Sequence, residues 1–299
     1  MLVTMKEILD IANENNYAVA APNVESELTI RACIEAAEEM NAPIIIDIAP
    51  PMVTDIVFIG KLARELAIQS KVPVAINLDH SANKQEVIQA LQGGFTSVMF
   101  DKSSLSDEEN IAQVKEIAEL VHTVDVSIEA EYGHVGQANN YANDRDARLT
   151  SPELAKNFVE KTGVDCLAVA IGTAHGSYPK GFKPYLDFER LKEIKEAINI
   201  PLVLHGSSGT DEESIRKACR LGINKVNISN DLCKEVVNTI VNGDFSGNKA
   251  YDVFPSIKEA IKKKLMYMIE IYGSKDKAWA ENVIGANGLP IKKISGEER

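Results

Sequence analysis

Eight apolar segments alternate with amphipathic segments along the chain, and this alternation limits the folds open to it. The apolar segments lie at 17–24, 42–49, 73–80, 96–101, 125–131, 166–172, 200–206 and 224–229. They are nearly continuous apolar runs, which is typical of parallel strands covered by helices. Eight strand–helix units in succession predict an α/β fold of the (β/α)8 or TIM-barrel type.

A doubly wound open sheet is the alternative, but no Gly-x-Gly-x-x-Gly turn follows the first apolar segment. Residues 253–272 predict an extra helix after the barrel, and the polar tail from about residue 285 is predicted to be loosely ordered. We therefore predict one domain over 1–299, with the barrel at about 1–245 and a C-terminal helix and tail at 250–299. Loops at 132–150 and 173–186 are long enough to be functional.

The charge of the chain restricts its partners. The 299 residues carry a formal net charge of −12, which repels nucleic acid and anionic membrane surfaces. The four cysteines form no Cys-x-x-Cys pair, and no signal-like stretch or long apolar run is present. These features predict a soluble, cytoplasmic protein with reduced thiols.

Three of the five histidines follow predicted strands, at the carboxyl end where a barrel of this type carries its active site. His80 ends the third strand, His175 follows the sixth and His205 ends the seventh. Three neutral imidazoles around an open position predict a catalytic zinc site, and unrelated histidines at strand ends are the alternative. His122 is predicted to be a surface residue, and His134 either a substrate contact or a loop residue.

Four acids lie at the same end of the predicted barrel. Asp79 and Asp101 end the third and fourth strands, and Glu129 and Glu131 share one face of the fifth. Carboxylates beside a divalent ion orient its ligands or bind a second ion. Salt bridges at the barrel rim are the alternative, and we favour that interpretation for Glu129 but not for Glu131 or Asp79.

Two loops predict a phosphate site. The stretches "HGSSG" (205–209) and "NISND" (227–231) follow the seventh and eighth strands, where backbone N–H groups of these barrels bind phosphate. A divalent ion that polarises a carbonyl, a carboxylate that moves a proton and a phosphate site together indicate C–C cleavage of a phosphorylated ketose. Metal-assisted hydrolysis uses similar ligands and remains an alternative.

Six stretches carry a resemblance to a known family: "NLDH", "MFDKS", "IEAEYGHVG", "GVDCLAVAIGTAHGSY", "PLVLHGSSG" and "KVNISND". With them, the chain resembles the class II, metal-dependent fructose-bisphosphate and tagatose-bisphosphate aldolases over nearly its whole length. The resemblance implies reversible cleavage of a ketose bisphosphate to dihydroxyacetone phosphate and an aldehyde, by a homodimer or homotetramer.

The resemblance also implies roles for individual residues. Zinc or another divalent ion would be bound by His80, His175 and His205, with Glu131 and Asp101 holding an alternative metal position or orienting the site. Asp79 would exchange a proton with the C4 hydroxyl of the substrate. The residues that would face the substrate and its phosphate are Asn23, Gly176, Gly206, Ser208, Asn227, Ser229 and Asn230. A monovalent cation, Na⁺ or K⁺, would lie near the phosphate loops.

The chain departs from the family pattern at several positions. Asp47 and Ala49 stand where glutamine and serine are usual, and Lys102 stands where glycine is usual. The loop after the fifth strand has Gln137 and no acid before Asp144, although some class II enzymes use a glutamate there as proton acceptor. We therefore expect an aldolase core with an altered pocket for the aldehyde. A sugar-phosphate-binding barrel without catalysis is the remaining alternative.

Overall fold

The computed structural model describes residues 1–136, 138, 149–176, 178 and 182–279, and eight parallel strands form one sheet in them. The strands are β1 (Val19–Pro22), β2 (Ile44–Ile48), β3 (Val74–Ser81), β4 (Ser97–Phe100), β5 (Ser127–Tyr132), β6 (Cys166–Val169), β7 (Leu202–Leu204) and β8 (Ile223–Ile228). The N–H of Val24, after β1, donates to Asp47 O on β2 at 2.9 Å, which closes the sheet. The predicted (β/α)8 barrel is thus confirmed.

A helix follows each strand, as the sequence predicted. These helices are α2 (Glu27–Glu39), α3 (Ile56–Gln69), α4 (Lys84–Gly93), α5 (Asp107–His122), α6 (Pro152–Thr162), α7 (Phe188–Ala197), α8 (Glu212–Arg220) and α9 (Asn230–Asn242), preceded by α1 (Met5–Glu14). The extra C-terminal helix is also confirmed, as α10 (Val253–Tyr272). None of the described helices is both long and apolar enough to cross a membrane. The tail beyond residue 279, including the part predicted to be loosely ordered, lies outside the described residues.

The helix α1 was not predicted. Thr4 and Glu7 form a capping box at its start, in which the Thr4 side chain accepts from the Glu7 N–H and Glu7 accepts from the Thr4 N–H. Its buried residues Met5, Ile8 and Leu9 pack with inward-facing side chains of the strands. The helix therefore covers the amino-terminal end of the barrel interior.

Every second side chain of a strand points into the barrel, and these inward-facing side chains form two layers. Near the amino ends the inward positions are apolar, such as Ile45 and Ala75. Two residues further along the same strands they are polar: Asp47 and Asn77 are both buried and hydrogen-bonded to each other. The apolar layer supports the fold, and the polar layer lies directly below the carboxyl ends of the strands.

Candidate active site

Asp79 and His80 are neighbours in sequence, yet both line the same cavity at the carboxyl end of the barrel. The register between β3 and β4 shifts between Leu78 and Ser81, and His80 has a φ of 50°. A left-handed backbone at a non-glycine residue costs on the order of 1–3 kcal/mol. The irregular strand end turns two consecutive side chains toward one space, which a regular strand would not do.

Four side chains converge beside this irregular strand end, two from strands and two from the segments that follow β6 and β7. One potential ligand atom from each of His80, Glu131, His175 and His205 lies within 4.8 Å of the others. Glu131 Oε1 accepts a hydrogen bond from the N–H of Val135 at 2.9 Å. Glu131 Oε2 is buried without a hydrogen-bond partner in the described part of the chain. Three imidazoles and an unsatisfied carboxylate oxygen are a donor set that suits zinc or another divalent ion.

Two carboxylates orient the histidines of this group. Asp101 Oδ2 lies 2.9 Å from His80 Nδ1, and Glu129 Oε1 lies 2.8 Å from His205 Nε2. The remaining nitrogens, His80 Nε2 and His205 Nδ1, face each other at 2.9 Å. Carboxylates commonly fix the ring orientation of metal-binding histidines in this way. Of the two roles that the resemblance allowed for Asp101, its position against His80 fits the orienting one.

Asp79 is held by two amide groups. Asn23 Nδ2 donates to Asp79 Oδ2 at 2.8 Å, and Asn227 Nδ2 donates to Asp79 Oδ1 at 3.0 Å. Burial alone would raise the pKa of Asp79, but the positive charges of His80 and Lys225 lower it below its usual value. The carboxylate is therefore ionised, fixed in orientation and able to accept a proton.

The three histidines differ in their protonation. Burial alone would lower the pKa of His80, but the charge of Asp79 and the hydrogen bond to Asp101 raise it to about 10. Burial and the charges of His205 and His80 lower the pKa of His175 to about 4. Burial also lowers the pKa of His205 well below its usual value. Without a metal ion, the site therefore carries its proton on His80 at neutral pH.

Zinc binding to the metal-free protein is expected to release about one proton from His80 at pH 7.5, because a ligating nitrogen must be deprotonated. Below a pKa of about 10 the proton is present and competes with the ion, so zinc affinity should rise with pH. Calorimetric titration in two buffers of different ionisation enthalpy measures this release. Equal heats in both buffers would show that the prediction is wrong.

A cavity of about 250 Å³ lies next to the histidines and contains all the predicted substrate contacts. These are Asn23, Gly176, Gly206, Ser208, Asn227, Ser229 and Asn230. Gly206 has a φ of 65°, and a Cβ there would lie 2.4 Å from the backbone of Ala174. Only glycine allows this close approach, which brings the loops after β6 and β7 together.

A buried charged group that was not predicted from the sequence lies below the cavity. Lys225 on β8 is fully buried, and its Nζ lies 3.2 Å from Asp47 Oδ2 and 2.9 Å from Glu129 Oε2. Burial alone would lower the pKa of Lys225, but these carboxylates and Asp79 raise it. Asp47 was expected beside the substrate, but it is fully buried and bonded to Asn77 and Lys225. The rim above Asp47 is formed instead by Ala49, which lines the cavity.

The two other histidines, Lys102 and the loop after β5 were also singled out from the sequence. His122 is a surface residue, as predicted, and lies 2.9 Å from Asp165. His134 bonds to Ser103 at 2.8 Å and lies 3.6 Å from Glu131, so it contacts a group of the site. Lys102 donates to Ala82 O at 2.5 Å, away from the cavity. The predictions for Gln137 and Asp144 fall outside the described residues.

Known proteins resemble this chain in sequence and in fold. The sequence profile described as "Fructose-bisphosphate aldolase class-II" matches residues 3–277. A "Fructose-bisphosphate aldolase" from Thermus caldophilus is 36% identical, over 93% of this chain and all of its own. The crystal structure of the YdjI aldolase from Escherichia coli K12 is 32% identical, with a TM-score of 0.84, over 93% of this chain and 100% of its own. A fructose-bisphosphate aldolase structure from Campylobacter jejuni, at 24% identity and a TM-score of 0.75, covers 92% of this chain and 96% of its own and shares the fold. The chain therefore belongs to the class II fructose-bisphosphate aldolase family of carbon–carbon lyases.

Proposed function

We propose that the enzyme reversibly cleaves a phosphorylated ketose into dihydroxyacetone phosphate and an aldehyde. The observation that carries this proposal is that Asp79 lines one cavity with the three histidines whose ligand atoms converge with one of Glu131. His80, His175 and His205 would bind zinc or another divalent ion, and Glu131 would be a further ligand. A bound ion of this kind polarises the ketose carbonyl and stabilises the negative charge that develops there.

Asp79 is the proposed acid/base group. In the cleavage direction its carboxylate takes the proton of the C4 hydroxyl, the C3–C4 bond breaks, and the new aldehyde carbonyl forms at C4. The bonding electrons remain with the three-carbon fragment, which becomes dihydroxyacetone phosphate when C3 takes up a proton. Asn23 and Asn227 hold both carboxylate oxygens, so Asp79 needs little reorientation to act.

The phosphate of the dihydroxyacetone half would bind at the loops after β7 and β8. Gly206, Ser208 and Asn230 line this part of the cavity. Ser229 immediately precedes α9 and makes no side-chain cap hydrogen bond, so its side chain does not compete for the N–H groups of the first turn, which attract anions. We propose that Gly176 completes this phosphate site and that Na⁺ or K⁺ binds near it.

A second candidate concerns the aldehyde half of the substrate. Ala49, Pro51 and Met52 line the cavity beyond Asp79. The described lining residues include no lysine or arginine, which a second phosphate group would favour. We therefore favour a ketose phosphate whose aldehyde half carries no phosphate over a ketose bisphosphate.

An assay of dihydroxyacetone phosphate release tests both candidates. Fructose and tagatose 1,6-bisphosphates would be compared with ketose 1-phosphates, with and without a chelator. We expect the release of dihydroxyacetone phosphate to be sensitive to the chelator, and kcat/KM to be higher for a ketose 1-phosphate than for either bisphosphate. Faster release from a bisphosphate would reject the second candidate alone. No release from any of these substrates by the zinc-loaded protein would reject the aldolase proposal and favour a hydrolase or a sugar-phosphate-binding barrel.

Met52→Arg provides a sharper test of the aldehyde pocket. A guanidinium at this wall is expected to raise kcat/KM for a bisphosphate about tenfold relative to a ketose 1-phosphate. Met52→Gln, which adds no charge, is the matched control and should leave the ratio unchanged. An equal effect of both variants would show that the charge of the wall does not select the aldehyde.

The homo-oligomeric state and the cytoplasmic location stay predictions.

A further inference from the structure

A fully buried lysine lies inside the barrel, where a charged side chain is costly unless it is well paired. Besides its contacts with Asp47 and Glu129, Lys225 Nζ donates to Asn227 Oδ1 at 2.7 Å. The contact with Asn227 is a hydrogen bond, and the contacts with the two carboxylate oxygens are ion pairs. Asp47 Oδ2 and Glu129 Oε2 have no hydrogen-bond partner among the described residues, so these two buried oxygens are compensated by the charge of the ammonium. We call Lys225 and these three partners the Lys225 cluster.

One arm of the Lys225 cluster leads to the metal site. Glu129 Oε2 lies 2.9 Å from the ammonium, and Glu129 Oε1 lies 2.8 Å from His205 Nε2. These two contacts fix the plane of the carboxylate and, through it, the ring of His205. The other ring nitrogen, Nδ1, is then aimed at the position where the ligand atoms converge.

The other arm leads to the proton-transfer group. Because Asn227 Oδ1 faces the ammonium of Lys225, Asn227 Nδ2 faces Asp79 Oδ1, at 3.0 Å. A flipped amide would place its oxygen against the carboxylate and its NH₂ group against the ammonium, and both contacts would be repulsive. Lys225 therefore selects the amide orientation that donates to Asp79.

We infer that Lys225 is a positioning residue that holds His205 through Glu129 and Asp79 through Asn227, with Asp47 as its counter-ion. Lys225 is not among the described residues that line the cavity, so it acts through its neighbours. The inference rests on the proposed function, because it assumes that His205 binds the metal ion and Asp79 moves the proton. A purely structural ion pair, which only compensates buried charges, is the competing explanation.

The variants Lys225→Met, Asp47→Asn and the double variant Lys225→Met/Asp47→Asn separate these explanations. Lys225→Met alone leaves two buried carboxylates without their cation, and it is expected to lower the melting temperature. The double variant removes one positive and one negative charge, so it should recover most of this loss. Zinc affinity of the metal-free protein, measured by competition with a chelating dye, is compared with kcat, KM and melting temperature.

The double variant is expected to bind zinc about 10- to 100-fold more weakly than the wild type and to have a kcat lower by about the same factor. KM should change less than about threefold, because the phosphate loops are unchanged. Asp47→Asn alone should keep zinc affinity within about threefold, because Lys225 still holds Glu129 and Asn227. Lys195→Met is the control for loss of a partly buried lysine, since Lys195 bonds to Asn13 near the other end of the barrel, and it should change neither zinc affinity nor kcat.

A double variant with wild-type zinc affinity and wild-type kcat would overturn the inference and leave Lys225 a structural role. Failure of the double variant to fold would also overturn it, because Lys225 would then be required by the barrel itself. If the wild-type protein cleaves no phosphorylated ketose, the proposed function fails. The zinc affinities still decide then whether Lys225 positions His205.

Discussion

Replacing His175 with alanine is expected to lower zinc affinity by about a hundredfold or more and aldol cleavage by about a thousandfold. The His175 ring meets the rings of His80 and His205 edge-on, with centroids 4.9 and 5.6 Å apart. The substitution removes one imidazole from the group of four and leaves the bonds of His80 to Asp101 and of His205 to Glu129 in place. The remaining ligands would hold the ion too weakly to survive competition by a chelator.

This prediction is tested by measuring zinc content after dialysis, zinc affinity by chelator competition, and kcat/KM with saturating zinc. His122→Ala is the matched control, because His122 is a histidine bonded to one acid, Asp165, on the surface. This control should keep its activity within about twofold of the wild type. If His175→Ala retained wild-type zinc affinity, His175 would not be a ligand, and the three-histidine centre would have to be abandoned.

The barrel and the histidine group could be predicted from sequence because both follow from simple geometric rules. Eight apolar segments in alternation with amphipathic ones define the fold. Residues at the carboxyl ends of parallel strands lie at the same end of the barrel, so His80 and His205 could be expected there together. The rule also brought Glu131 to the same place. It does not define how the side chains bond to one another.

The helix α1 was missed because it precedes the repeating pattern, although local signals were present. Thr4 and Glu7 have the spacing of a capping box, and Met5, Ile8 and Leu9 have helical periodicity. These signals predict a helix but not its position in space. That position depends on the apolar lower half of the barrel, which only the assembled strands create.

Lys225 was missed because a single lysine within an apolar strand carries no distinct signal by itself. Only the three charged residues taken together are informative. Each of them occupies a buried, inward-facing position of a strand: Asp47, Glu129 and Lys225. Buried charges of opposite sign in one barrel must pair, so these three residues could have been predicted to meet. The register shift that turns His80 into the cavity has no comparable sequence signal.

Replacing Asp79 with alanine is expected to lower kcat by about a thousandfold while zinc affinity and KM stay close to wild-type values. General acid–base groups contribute roughly 10²- to 10⁴-fold to rate, and Asp79 is outside the group of four converging ligand atoms. The loops that would bind the phosphate do not include Asp79. The loss should therefore appear in kcat, as expected for an interaction made in the transition state.

Zinc affinity distinguishes this variant from His175→Ala, because only the histidine variant should lose the ion. Asp79→Ala also leaves the amides of Asn23 and Asn227 without their acceptor, at a cost of about 1–3 kcal/mol for each buried group that stays unpaired. The melting temperature of the variant must therefore be measured together with its kinetics. The control is Asp10→Ala, which removes a surface ion pair with Lys6.

A folded, zinc-loaded Asp79→Ala protein with a kcat within tenfold of the wild type would transfer the acid/base role to another group. A thousandfold loss with zinc bound would assign proton transfer to Asp79 and leave charge stabilisation to the metal site.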